Sequence, residues 1–132
     1  MATFSYEPPL PPLAPDAFVQ TVHLSEEGER IGAATWVIPD IEAGVLQILT
    51  MEIAQPHRRR GHGKRLLSEV LKQGNALCKT RKRKLRKSWM LLRHKGQVVG
   101  RSFLTGQSFH HVTTVSHLLK DEDGLVYIRA FD

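Results

Sequence analysis

Gln47-Ile-Leu-Thr-Met-Glu-Ile-Ala-Gln-Pro-His-Arg-Arg-Arg-Gly-His-Gly-Lys-Arg-Leu-Leu67 runs from a strand-like pattern, through a basic turn, into a helical pattern. The apolar residues Leu46, Ile48, Met51 and Ile53 keep period two on each side of Leu49-Thr50 but change face there. One extra residue at that place is what a β-bulge inserts. A bulge breaks pairing with the next strand and leaves backbone N–H and C=O groups free to meet a ligand. In the turn, His57 to Lys64, two glycines one residue apart let the backbone approach an anion closely, and the start of a helix adds unpaired N–H groups and a positive dipole end. The arginines supply charge. Alone, such a turn also fits a solvated loop; its neighbours favour a phosphate cradle.

Helical periodicity begins after Gly63. Leu66, Leu67, Val70, Leu71, Leu77 and Cys78 recur at spacings of three, four and seven and form one apolar stripe, with Gly74 a slight weakness in the helix. Upstream, Ala17 to Leu24 and Arg30 to Ile38 flank the polar turn Ser25 to Glu29 as an antiparallel hairpin, and Val45 to Ile53 is a third strand after the break at Pro39. Downstream, Ser88 to Leu92 reads as a strand and Gln97 to Thr105 as a short helix. Phe109 to Leu118 and Leu125 to Phe131 are final strands joined by the acidic turn Asp121 to Gly124. The order β-β-β-α-β-α-β-β implies an α+β fold whose mixed sheet is mostly antiparallel, with one crossover made by the central helix.

At 132 residues the chain fits one domain, spanning 17–132, preceded by a proline-rich arm, 1–16, that holds five of the seven prolines and can be neither helix nor central strand. A single cysteine excludes an intrachain disulfide and fits a reducing cytoplasm. No apolar run is long enough to span a bilayer, and the first residues lack a leader pattern. Of nineteen Lys and Arg residues, thirteen fall between His57 and Lys87 beside the lone acid Glu69, so this segment carries +12 and the rest of the chain −6. That asymmetry calls for an anionic partner, either a phosphorylated cofactor or a nucleic acid. His110, His111 and His117 have no Cys, Asp or Glu at ligand spacing, and no metal site is expected.

Arg58, Gly61 and Gly63 fill the pattern Gln or Arg, two residues, Gly, one residue, Gly or Ala. Together with the bulged strand, Pro56 in the turn and Leu66-Leu67 beyond it, the stretch Gln47 to Leu67 resembles the cofactor-binding core of the GNAT superfamily, the acetyl-CoA-dependent N-acetyltransferases. The element order resembles that family's fold with its N-terminal helices missing. The resemblance implies an enzyme that transfers acetyl from acetyl-CoA to an amine by direct attack in a ternary complex. It implies that Arg58 opens a pyrophosphate site made by the backbone amides of Arg59, Arg60, Gly61, His62, Gly63 and Lys64. Met51 and Ile53 would lie beside the pantetheine arm, and an amide near Thr50 to Glu52 would polarise the thioester carbonyl.

The sequence departs from the family where proton transfer is concerned. Leu104 stands in place of the tyrosine that protonates the departing thiolate, and Ser108 in place of a glycine. Leucine cannot donate a proton; water, Ser102 or Thr105 would substitute, or the thiolate would leave unprotonated. Gln47 and Leu92 occupy positions where some members carry a base, which leaves Glu52 as the best catalytic carboxylate and His94 as a second candidate. The short N-terminal segment implies an acceptor site open to a protein or other macromolecule, or closed by a second subunit as a homodimer. Lys79 to Lys87, with seven basic residues in nine, lies too far along the helix to serve the cradle. It reads as a solvated, mobile loop or as a contact for RNA, DNA or an acidic protein. The alternative function is therefore a catalytically impaired acyl-CoA-binding or nucleic-acid-binding module.

Overall fold

The computed structural model describes residues 2–7, 17–93 and 98–131. Seven strands form one sheet: β1 (Ala2–Tyr6), β2 (Phe18–Glu26), β3 (Glu29–Ile38), β4 (Val45–Ile53), β5 (Lys87–Arg93), β6 (His110–Leu119) and β7 (Glu122–Ala130). Helix α1 (His62–Thr80) joins β4 to β5, and α2 (Val98–Gly106) joins β5 to β6. The spatial order is β1-β2-β3-β4-β5-β7-β6. Among neighbouring strands only β4 and β5 run parallel: α1 carries the chain across to the adjacent position, whereas the connection through α2 leaves β7 between β5 and β6. Every other neighbouring pair is antiparallel.

The α+β class and mixed sheet agree with expectation, with one strand more at the front. Ala2–Tyr6, expected to belong to an extended arm, pairs with β2 from Ala2↔Glu26 to Tyr6↔Val22. The prolines begin only at Pro8, and before them Ala2, Phe4 and Tyr6 alternate without interruption. As an edge strand, β1 respects the bar on a central position. Its Tyr6 hydroxyl donates to Glu69 Oε1 on α1 at 2.7 Å, which ties the sheet edge to the helix. The prolines of the arm, His94 and Gln97 lie outside the described residues.

The apolar stripe of α1 buries Leu66, Leu67, Val70 and Cys78 against Trp36, Ile38, Leu46 and Ile48. Gly74 belongs to that stripe. A Cβ there would stand 2.5 Å from Leu46 Cδ1, so the glycine lets the helix axis settle close to the sheet. Alternation along the strands places Trp36, Leu46 and Ile48 under α1. The intervening Val19, Val37, Trp89 and Ile128 point to the opposite face, where they are half-buried and no helix among the described residues lies over them.

The basic run is an ordered turn rather than a loose loop. Leu85 is 4% exposed and its amide donates to Asn75 Oδ1 at 3.3 Å. Arg83 N bonds Cys78 O, Arg86 N and Lys87 N both bond Gly44 O, and Phe131 N bonds Arg86 O. One buried leucine and these backbone bonds hold the segment between the helix end and β5.

Candidate active site

The phase change at Leu49-Thr50 corresponds to a register shift between β3 and β4. Thr35 faces Thr50 while Trp36 faces Ile48, which leaves Leu49 as the extra residue, 45% exposed. Pairing of β4 with β5 runs only from Val45↔Lys87 to Ile48↔Met90, whereas β5 continues against β7 as far as Arg93. The two parallel strands therefore part at the bulge. Beyond it the β5-side backbone groups of β4 have no strand partner among the described residues.

After β4 a 3-10 turn, Gln55–His57, leads to the cradle. Arg58 folds back, its Nε donating to Ile53 O at 2.8 Å, so this side chain closes the strand end and occupies the last carbonyl of β4. Arg59 and Gly61 have φ of 64° and 81°, both in the left-handed region. For glycine this is free; for Arg59 it is strained, of the kind that collects at ligand sites. Gly61 is the N-cap of α1 and no side chain caps the helix. Amides at the start of α1 thus have no intrahelical acceptor, and the first turn holds no acid to compete for them. Gly63 faces α2: a Cβ there would lie 3.2 Å from Phe103 Cε1. Arg58, Arg59, Arg60, Lys64 and Arg65 are exposed, and none forms an ion pair among the described residues.

His62 differs from its neighbours in the cradle. Its ring is buried, with Nε2 3.3 Å from Glu26 Oε2 on β2, so its side chain anchors the helix start while only its amide faces the turn. Met51 and Ile53 pack against the core on the α1 side of the sheet. Glu52 lies between them on the opposite, bare face. It pairs across the strand with Ala33 and is exposed, next to Thr50. Met51 and Ile53 thus stand on one face of β4, and Thr50 and Glu52 on the other, just beyond the bulge. Leu104 is buried, 1% exposed, and offers no proton. Ser108, which stands where the family pattern has a glycine, takes φ 67°, in the left-handed region that favours glycine. Ser102 and Thr105 are exposed on α2. Phe103, the wall beside Gly63, was missed because a helix-to-helix contact has no periodic signature. Among the described residues no group of His, Cys, Asp or Glu could hold a metal ion.

The site is thus an unpaired half-strand ending at a basic, uncapped helix start. The family described as Acetyltransferase (GNAT) matches residues 4–87, more than half of the chain. The chain belongs to the GNAT acetyltransferase family. Among solved structures, a GNAT-family protein from Desulfovibrio desulfuricans is similar at 16% identity and TM-score 0.71, over 85% of this chain and 69% of that one. Naa50 of Arabidopsis thaliana, in complex with the bisubstrate analogue CoA-Ac-MVNAL, is similar at 19% identity and TM-score 0.69, over 84% and 72%. An IAA acetyltransferase from Bacillus cereus is similar at 12% identity and TM-score 0.71, over 98% of this chain and 100% of its own. No curated protein matches the sequence. No helix among the described residues is long and apolar enough to cross a membrane.

Proposed function

We propose that this chain is an N-acetyltransferase that moves an acetyl group from acetyl-CoA to an amine by direct attack in a ternary complex. The observation that carries the reading is the parting of β4 from β5 at Leu49, directly before a helix start whose amides are uncapped. The residues present fit the donor. Amides from Arg59 to Lys64 would receive the pyrophosphate, with the exposed arginines and Lys64 adding charge. Met51 and Ile53 flank the free strand edge along which the pantetheine arm would lie. An amide between Thr50 and Glu52 would donate to the thioester oxygen as negative charge builds on it.

On the bare face, the amine nitrogen forms the new C–N bond as the C–S bond breaks. Glu52 accepts the proton the amine loses, directly or through one water. The thiolate leaves with its charge or takes a proton from water, since Leu104 cannot supply one. The open face around Glu52 and Thr50 suits the amine of a macromolecule, and the peptide-bearing analogue bound to the Arabidopsis protein supports the same class of acceptor. The buried, single Cys78 suits a reducing compartment such as the cytoplasm.

The test is calorimetric titration with acetyl-CoA, followed by thiol release with a panel of peptide α-amines, lysine peptides and small polyamines. Binding with turnover on any amine supports the reading. Binding without turnover on all of them would leave a binding module, and absence of binding would remove the donor as well.

A further inference from the structure

We propose that the turn from Lys79 to Lys87 is a preformed surface for the phosphate backbone of a nucleic-acid duplex, separate from the cradle. The turn is held by Leu85 in the core, by Arg83 N on Cys78 O and by Gly44 O, which accepts from both Arg86 N and Lys87 N. Lys82 sits at φ 57°, a conformation lysine rarely adopts, so the surrounding bonds dictate the backbone. A partner that binds here finds the charges already assembled and the backbone ordered.

The charge is largely uncompensated. Lys79, Arg81, Lys82, Arg83, Lys84, Arg86 and Lys87 are all exposed. Arg83 pairs with Glu42 at 2.5 Å, while Lys79, Lys82, Lys84, Arg86 and Lys87 form no ion pair among the described residues. Structural stability does not require such a concentration of like charge, which repels itself.

The surroundings select the kind of anion. The large apolar side chains that stand exposed, Tyr6, Leu49, Val112, Val115 and Leu118, all lie outside the turn. A specific protein interface is anchored by such residues, and single-stranded nucleic acid is bound by stacking on exposed aromatic rings. Neither is provided. Contacts to duplex phosphates need only positioned Lys and Arg. Helix α1 has 19 residues, so the turn lies about 28 Å from the cradle at about 1.5 Å per residue, and duplex and donor can be held together. The inference does not rest on acetyl transfer and survives its failure.

Fluorescence anisotropy with a labelled duplex, measured over a range of salt, tests it. Five or so phosphate contacts give a log–log salt slope of about −4 to −5. The variant Lys79→Gln, Lys82→Asn, Lys84→Gln should bind at least about tenfold more weakly at low salt and flatten the slope by about 3. Glu42→Gln, which frees Arg83, should bind more tightly, and it tests the surface independently should the triple variant fold poorly. Saturating coenzyme A should leave duplex binding unchanged. An unaltered slope in the triple variant, displacement of the duplex by coenzyme A, or tighter binding of polyglutamate than of duplex would each overturn the proposal.

Discussion

At the residue scale, the cradle and Glu52, the proposed base, call for separate tests. Gly61 has open space around it but a φ of 81°, so Gly61→Val meets no neighbour and still strains the backbone by about 1–2 kcal/mol. Its branched side chain would stand over the uncapped amides, and acetyl-CoA affinity measured by calorimetry should fall at least about tenfold, or by about 1.4 kcal/mol. Glu52, on the other face of β4, should behave oppositely: Glu52→Gln should keep the donor Kd and lower kcat by about 10²- to 10⁴-fold. Equal loss of binding in both variants would place Glu52 in the cradle instead. Cys78 offers a probe of folding at the same scale. Burial pushes its thiol pKa up, so alkylation at mildly alkaline pH should occur only after denaturant unfolds the chain.

At the scale of elements, the contact of β1 with α1 is titratable. Burial first, then the hydrogen bond to the Glu69 carboxylate, pushes the Tyr6 pKa up to about 12. A raised folded pKa favours the protonated state in the fold, so this contribution is complete below pH 10 and is lost as pH rises from 10 towards 12. Tyr6→Phe should remove that part of the alkaline decline in a series of denaturant melts. In α1, Gly74→Val should cost about 1–3 kcal/mol, because the new side chain would push into Leu46 beneath the helix. Both features mark the limit of what was legible in the chain. The bulge was visible because a one-residue phase change is local, and the stripe of α1 because periodicity is local too. The strand β1 was masked by averaging it with the prolines that follow, and the role of Gly74 depends on Leu46, a residue of another element. The order in the basic turn rests on Gly44, Asn75 and Phe131, which only the folded chain brings near.

At the scale of the whole molecule, two basic centres lie at opposite ends of one helix and both helices on one face of the sheet. The proposed proton transfer is the least legible part, because Leu104 and Ser108 reveal where the sequence departs from the family pattern and not what takes its place. The opening between β4 and β5 has an arithmetic origin. Without Leu49, the residues Leu46, Ile48, Met51 and Ile53 would alternate without a break, and β4 could zip to β5 as far as Arg93. A chain lacking Leu49 should fold, melt no lower than the parent, and show no heat of binding with acetyl-CoA. On that expectation, one codon of length separates a closed sheet from one that opens between β4 and β5.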